Sequence, residues 1–404
     1  MQVFQKATNQ QTRLINERLV LGTIYGRGPI SRAEVARVTG LTRTTVSDVV
    51  EQLRAVGLAE EIGLGRSTGG KAPILVQVPS DARQLIGVDV GDSELNGAVV
   101  NLRGEVVRRI DAPLDGRDGD QALARLESLL DELIAAADRP LLGIGIGTPG
   151  LIDTSNGTVR WAVNLDWRDL PLGERLQERH GLPVYVTNDS HAAALAEFTF
   201  GANELAADGP RSMVVVKVGR GIGAGIVLNG QLFQGDGFGA GEIGHTSVAD
   251  NHRPCRCGST GCLETIASTR AVVQRVRELA PHTPESVLHD HVQPDGIGFD
   301  DLARAFAHDD ALAREVVTDA AHHLGRAIGA LVGAFNVQRI VLVGEMTVFG
   351  EPWLAAIRRE AHRSTLALLA DRTTIEIGRL ESNLVVLGSA ALLMTRELGL
   401  SLAG

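Results

Sequence analysis

The spacing of apolar residues is helical at the start of the chain, whereas buried strands and helical stretches both occur after residue 80. From Thr12 to Tyr25 apolar residues recur at helical spacing, and glycines at 26 and 28 end the segment. A second, short helix opens at Ser31, where Ser-Arg-Ala-Glu has the form of a capping box. Gly40 then provides a left-handed turn into a third helix over 42–56. This order predicts a helix-turn-helix whose recognition helix is 42–56.

Two short apolar segments, Leu58–Ile62 and Ile74–Val78, follow the third helix and flank a glycine-rich basic tip. They predict a wing and a head that ends at residue 79, although the tip alone is also compatible with a plain linker. Polar residues early in the recognition helix suit base edges and phosphates, and basic wing residues suit phosphates or the minor groove. A polar-faced three-helix packing module is the alternative. The predicted DNA contacts are Arg32, Thr42, Arg43, Thr44, Thr45, Ser47, Arg66 and Lys71.

Beyond the head, two stretches share one design. Leu85–Val100 and Met213–Leu232 each consist of buried strands around a glycine-containing turn, and helical stretches follow both. The recurrence predicts a duplicated α/β domain, in which the two turns would hold a nucleotide. Asp189 stands where a strand gives way to a helix, so its carboxylate is either a working group or a helix cap.

Composition narrows the choice of partners. The head carries ten Lys and Arg against six Asp and Glu, or +4, so the rest of a chain of net charge −10 carries −14. A basic head can bind DNA, whereas the acidic body would repel it. Aromatic residues make up only 3%, which argues against base-stacking platforms for single strands. The sequence shows no signal-peptide core and no run of transmembrane length, so we expect a cytoplasmic protein without a membrane partner.

All three cysteines lie between His245 and Glu264. Cys255, Cys257 and Cys262 follow His245 within eighteen residues, and three thiols with one imidazole form a donor set that suits Zn²⁺. An odd number of cysteines argues against a disulfide framework, and the alternative is three unrelated thiols. Because the protein would fill all four positions of a tetrahedral ion, the predicted zinc is structural.

The same stretch resembles a family signature. Gly241-Glu-Ile-Gly-His245 followed by Cys-Arg-Cys-Gly-Ser-Thr-Gly-Cys-Leu-Glu264 is similar to that of the ROK family, named for repressors, open reading frames and sugar kinases. Asn164, Thr187-Asn-Asp and the two glycine turns follow in the family's order, so the resemblance covers roughly 83–398. The head is similar to that of the family's transcription factors, such as the xylose and N-acetylglucosamine repressors.

The resemblance implies an α/β fold with a winged helix-turn-helix over 1–79 and a two-lobed, actin-like domain of duplicated ribonuclease-H topology. The first lobe would span 80–190 with a C-terminal helix, 388–404, returning to it. The second lobe, 191–387, would carry the zinc site and the dimer interface. The implied sugar-binding residues are Asn164, Asn188, Asp189, Glu242, His245 and Glu264.

In the family's kinases the residue at Asp189 is the catalytic base, whereas here we expect it to bind ligand. The nucleotide elements depart from the kinase pattern at Asp92 and Glu94 in the first loop, at Arg220 in the second, and at Glu345. Carboxylates repel phosphate, and a side chain blocks the close approach that glycine allows. We therefore expect no enzymatic activity.

The predicted function is that of a sugar-responsive transcriptional regulator, expected to be a repressor. As a homodimer or tetramer it would bind a pseudo-palindromic operator, and a sugar or sugar phosphate between the lobes would release the DNA. In a sugar-phosphate sensor Arg220 would pair with the phosphate. The alternative function is an active ATP-dependent sugar kinase with an added DNA-binding head.

Overall fold

The computed structural model describes residues 8–66, 72–201, 212–248, 252–289, 296–380 and 383–400. They fall into two compact units, the first within 1–187 and 385–404 and the second within 188–384. The chain thus passes between the units at two places, 187/188 and 384/385. Within the described ranges, no helix combines the length and apolar character needed to span a membrane.

The head belongs to the first unit and contains three helices and a small sheet of order β1-β3-β2. Its elements are α1 (Asn9–Arg27), β1 (Ile30–Ser31), α2 (Arg32–Thr39), α3 (Arg43–Ala55), β2 (Glu60–Leu64) and β3 (Ile74–Gln77). Gly40 has a φ of 70° between α2 and α3, so the predicted turn and both wing strands are present. Val46, Val50 and Leu53 on the inner face of α3 are fully buried, and their burial holds the three helices together.

One detail of the head was predicted incorrectly. The hydroxyl of Ser31 does accept a hydrogen bond from the Glu34 backbone nitrogen at 3.2 Å. The carboxylate of Glu34 does not return to Ser31 but pairs with Arg37 one turn later on α2. An opposite charge within reach on the same helix face competes for the carboxylate, so this is half of a capping box.

The rest of the first unit is built on a five-stranded sheet of order β11-β7-β4-β5-β6. In chain order its elements are β4 (Gln84–Val90), β5 (Glu94–Asn101), β6 (Val106–Pro113), α4 (Gly119–Ala136), β7 (Leu141–Thr148), β8 (Leu151–Asp153), β9 (Thr158–Ala162), β10 (Trp167–Leu170), α5 (Leu172–His180) and β11 (Val184–Asn188). Strand β4 pairs antiparallel with β5 and parallel with β7. The apolar face of α4, from Leu123 to Leu133, lies in one cluster with the buried side chains of β4, β5 and β7.

The second unit repeats this sheet. Its elements are α6 (Asp189–Thr199), β12 (Met213–Val218), β13 (Ile222–Leu228), β14 (Gln231–Phe233), α7 (Glu264–Ala267), α8 (Thr269–Leu279), α9 (Phe299–Ala307), α10 (Ala311–Phe335), β15 (Arg339–Val343), α11 (Gly350–Arg363), α12 (Ala367–Ala370) and β16 (Thr374–Ile377). The order β14-β13-β12-β15-β16 places the first strand between the second and the fourth, as in the first sheet. Strand β12 is again antiparallel to β13 and parallel to β15. The predicted duplication is confirmed.

The last helix, α13 (Leu384–Leu393), begins at the second crossing and covers the first sheet. A β-carbon on Gly145 of β7 would stand 2.0 Å from the backbone oxygen of Ser389, so only glycine allows this contact. The Ser389 hydroxyl donates to the Val88 carbonyl of β4 at 3.3 Å. A short π-helix, Met394–Leu398, continues the chain.

Within the first unit the head contacts the β5–β6 turn. The Tyr25 hydroxyl donates to the Leu102 carbonyl at 2.5 Å, and the Arg103 guanidinium lies 4.1 Å from the centre of the Tyr25 ring. Arg103 also donates to the Tyr25 carbonyl at 3.0 Å. Arg18 on α1 donates to the Arg396 carbonyl in the π-helix at 3.1 Å. The head is therefore held by side chains as well as by its covalent linker.

Candidate functional site

The four predicted metal ligands converge in the second unit. One donor atom from each of His245, Cys255, Cys257 and Cys262 lies within 4.8 Å of all the others. The His245 Nδ1 is 3.6 Å from the Cys255 Sγ, and the Cys257 and Cys262 Sγ atoms are 3.7 Å apart. A tetrahedral ion bound at the lengths usual for zinc, about 2.3 Å to sulfur and about 2.0 Å to nitrogen, needs similar separations. The cluster can hold a metal ion.

Short backbone contacts shape this cluster. The Cys255 nitrogen donates to the Ser259 carbonyl at 2.8 Å and the Gly258 nitrogen to the Cys255 carbonyl at 3.0 Å, which closes a tight turn around the first two thiols. Gly258 and Gly261 have φ values of 90° and 70°, so they provide the predicted turns. Burial and the neighbouring thiols raise the pKa of Cys262 to about 12. Three adjacent thiols ionise together only beside a cation, which favours metal binding.

Three carboxylates and one ammonium group lie near the metal ligands. Asp189, the first residue of α6, accepts a hydrogen bond from the Lys217 ammonium of β12 at 2.5 Å. Burial opposes ionisation of Asp189, but the charge and hydrogen bond of Lys217, with bonds from Ser190, outweigh it and lower the pKa of Asp189. Lys217 was missed at the sequence level, although it is the lone charged residue in an otherwise apolar strand.

Glu242 lies between this pair and the candidate metal ligands. Burial, followed by the charges of Asp189 and Glu264, raises the pKa of Glu242 to about 7. Its carboxylate lies 3.9 Å from the Nε2 of His245, whose Nδ1 faces the thiols. The backbone around Glu242 lies directly against β13, because Gly241 leaves room where a β-carbon would be 1.8 Å from the Ala224 carbonyl. One imidazole therefore contacts both groups of side chains.

Glu264 and Asn188 also have structural partners. The Glu264 carboxylate accepts a hydrogen bond from the Ile222 nitrogen at 3.1 Å, which ties α7 to the turn before β13. The Asn188 Oδ1 accepts from the nitrogens of Ser190 and His191. The helix cap is thus Asn188 and not Asp189, because residue 188 has the extended backbone of an N-cap. Asp189 is left to pair with Lys217.

The sixth predicted sugar-binding residue, Asn164, belongs to the first unit. It lies in a single 3-10 turn, Val163–Leu165, before β10. Its side-chain amide donates to the Asp92 carboxylate in the β4–β5 turn at 3.0 Å. The structure groups Asp189, Glu242, His245 and Glu264 in one unit, with Asn188 at its first residue. The sugar-binding role of these residues stays a prediction.

Carboxylates also occupy the predicted nucleotide elements. Asp92 and Glu94 stand in the β4–β5 turn, which the Gly91 nitrogen closes by donating to the Glu94 carbonyl at 3.0 Å. In the second unit, the Glu345 carboxylate lies 4.0 Å from the position that a β-carbon would take on Gly219. A negative charge thus lies against the second glycine turn. Arg220, in that turn, is exposed.

The predicted DNA contacts differ in exposure. Thr42 caps α3 by accepting from the Thr45 nitrogen at 3.1 Å, and the two hydroxyls are 2.8 Å apart. Arg43, Thr44 and Arg66 are exposed, whereas Ser47 is partly buried. Lys71 lies outside the described residues.

Arg32 has acidic partners within the head. Its guanidinium lies 2.6 Å from a Glu51 carboxylate oxygen and 2.9 Å from one of Glu61. The Arg32 side chain is 21% exposed, and the two ion pairs connect α2 to α3 and to the wing. In this structure Arg32 braces the head and does not project as an open phosphate contact.

Known proteins match this architecture. The putative xylose repressor of Caldicellulosiruptor sp. (strain Rt8B.4) is 33% identical over 94% of this chain and 96% of its own length. The glucokinase of Halalkalibacterium halodurans is 34% identical, but the match covers only 78% of this chain and 96% of the kinase. A crystal structure of a ROK family transcriptional regulator, a homologue of the Escherichia coli MLC protein, superimposes with a TM-score of 0.85 at 28% identity. That match covers 97% of this chain and 98% of the other. The ROK family model matches residues 85–396, and the chain belongs to the ROK family.

Proposed function

We propose that this protein is a sugar-responsive transcriptional repressor that binds operator DNA through its head. The exposed first turn of α3 carries this proposal: Thr42 caps the helix, and Arg43 and Thr44 project into solvent. A helix N-terminus with guanidinium and hydroxyl groups contacts phosphates and base edges well. The repressor matches extend over the head, whereas the kinase match does not cover the whole chain.

The proposed effector is a sugar. Asp189, Glu242 and Glu264 supply acceptors, Lys217 supplies a donor, and the Nε2 of His245 faces this group. Sugar hydroxyls both donate and accept, so they suit such a mixed set. Effector binding releases the operator only if the sugar prefers one of two conformations of the protein. We propose a homodimer or tetramer on a pseudo-palindromic operator, since two heads then reach successive major grooves.

The metal would be a structural zinc ion. Its proposed ligands are the imidazole of His245 and the thiolates of Cys255, Cys257 and Cys262, which are the ligand types that zinc prefers. A bound ion would fix the tautomer of His245 and hold its other nitrogen toward Glu242.

We further propose that the chain does not transfer phosphate. Lys217 holds Asp189 in an ion pair and lowers its pKa, so this carboxylate is a poor acceptor for the proton of an attacking hydroxyl. The Glu345 carboxylate beside Gly219 and the carboxylates of Asp92 and Glu94 would repel a triphosphate.

The deciding experiment is footprinting of the DNA upstream of this protein's own gene, repeated with a panel of pentoses, hexoses, amino sugars and their phosphates. We expect a protected palindrome that one sugar releases. If the protein protects no DNA under any condition, the proposal that it is a repressor is refuted. Formation of ADP from ATP with any sugar of the panel would instead support the kinase. If a sugar phosphate is the effector, Arg220→Ala should abolish the response; an unchanged response would exclude Arg220 as the phosphate ligand.

A further inference from the structure

The β4–β5 turn contains an aspartate whose side chain is bonded to a predicted sugar-binding residue. The Asp92 Oδ1 accepts a hydrogen bond from the Asn164 Nδ2 at 3.0 Å, across 72 positions of sequence. Both residues belong to the first unit. Asn164 occupies a 3-10 turn that Asp166 ends with a φ of 52°. Asn164 is exposed in this turn.

A side-chain amide presents opposite chemistry at its two ends. The nitrogen of Asn164 donates and the oxygen accepts, and a rotation of 180° about the last bond exchanges them. An ionised carboxylate can only accept, so Asp92 selects the rotamer in which the nitrogen faces it. The amide oxygen then points away from Asp92. A glycine at 92 would offer no side chain to make that selection.

We propose that Asp92 is a positioning residue for effector recognition, which orients the Asn164 amide so that its oxygen accepts from a sugar hydroxyl. The proposal rests on the proposed function, because it assumes that Asn164 contacts the sugar. Asp92 stands in the β4–β5 turn, which is the first predicted nucleotide element, and the proposal assigns it a role in sugar recognition. The same carboxylate that is unfavourable for phosphate would favour one orientation of the sugar-binding amide.

The test compares three variants of the full-length protein. Asp92→Ala removes the acceptor, Asp92→Asn keeps an oxygen that can accept from Asn164, and Glu94→Ala removes the neighbouring carboxylate of the same turn. Each is titrated with xylose, glucose and N-acetylglucosamine in two assays: release of a labelled operator fragment and calorimetric sugar binding. A hydrogen bond to a charged group corresponds to an affinity change of about 10- to 100-fold, and its indirect effect here should reach about 5- to 20-fold.

We expect Asp92→Ala to weaken sugar binding and shift operator release by that factor. Glu94→Ala should stay near wild type. Asp92→Asn should lie between wild type and Asp92→Ala, because its amide can present either an oxygen or a nitrogen to Asn164. All three variants should bind the operator normally without sugar. Unchanged sugar affinity in Asp92→Ala, or an equal loss in Glu94→Ala, would overturn the proposal. If sugars bind the wild type but never release operator, the proposed function fails while calorimetry still decides on Asp92. If none of the three sugars binds the wild type, both proposals fail for these sugars.

Discussion

Replacing Tyr25 with phenylalanine removes one oxygen atom from the contact between the head and the β5–β6 turn. The Tyr25 hydroxyl donates to the Leu102 carbonyl at 2.5 Å, and the two residues are 3% and 0% exposed. Burial raises the pKa of Tyr25 despite the nearby Arg103, so the hydroxyl stays a donor throughout the neutral range. The ring of phenylalanine would keep the stacked guanidinium of Arg103 in place.

The size of the loss in stability follows from the Leu102 carbonyl, which loses its hydrogen bond from Tyr25 in the Tyr25→Phe variant. A neutral hydrogen bond contributes about 0.5–1.5 kcal/mol, and a buried carbonyl without a partner costs about 1–3 kcal/mol. We therefore expect the head to lose about 1–3 kcal/mol of protection against local opening. At tenfold for each 1.4 kcal/mol, amides in α1 to α3 should exchange with deuterium about 5- to 140-fold faster.

Hydrogen–deuterium exchange followed by mass spectrometry measures this directly, and the amides of β12 and β15 in the second unit are the internal control. Arg103→Ala should also accelerate exchange in the head, because it removes both the ring contact and the bond to the Tyr25 carbonyl. Wild-type exchange rates in α1 to α3 of a folded Tyr25→Phe variant would refute the reasoning. The Tyr25 hydroxyl would then contribute nothing to holding the head.

Four further variants test other parts of the molecule. Cys257→Ser should lower the metal content and the sugar response but leave sugar-free operator binding within about threefold, because the candidate metal ligands and the head lie in different units. Elemental analysis measures the metal content and gel shifts measure operator binding with and without sugar. An equal loss of sugar response and of operator binding would contradict the prediction. Gly145→Ala should destabilise by about 1–3 kcal/mol, because its new carbon would meet a backbone oxygen of α13 at 2.0 Å. In contrast, Gly22→Ala in open space on α1 should be neutral or stabilise by about 0.5–1 kcal/mol, as urea unfolding will show. Lys217→Met should cost about 3 kcal/mol at pH 7 by leaving Asp189 without its cation. The pair lowers the folded-state pKa of Asp189, so its stabilisation is present above the unfolded pKa and lost as the pH falls through the folded value. The gap in unfolding free energy between this variant and wild type should therefore close as the pH falls below about 4, and a gap that stays constant there would contradict the assignment.

The fold could be predicted well because its signals are local and repeated. Buried strands around a glycine turn recur at β4–β5 and at β12–β13, and periodicity alone reveals them. The convergence of the four candidate metal ligands was also predictable, because residues within one stretch of eighteen can meet through short turns.

The pairing of side chains from distant elements was harder to predict from the sequence. Lys217 and Asp189 meet because β12 and α6 pack together, and Asp92 meets Asn164 because two turns of the first unit adjoin. Neither sequence distance nor residue type indicates such a meeting. The partners of Arg32 illustrate the same limit, since Glu51 and Glu61 reach it from two further elements.

The path of the chain through its two units has a genetic consequence. The second unit is one continuous segment, 188–384, whereas the first unit needs residues from both ends of the chain. A nonsense mutation late in the gene, after codon 384, would keep the codons for the metal ligands and remove α13 from the first sheet. Gly145 and its neighbours would then lose the helix that covers them. Such alleles should lose operator control although every predicted DNA contact is still encoded, and they would map far from the head.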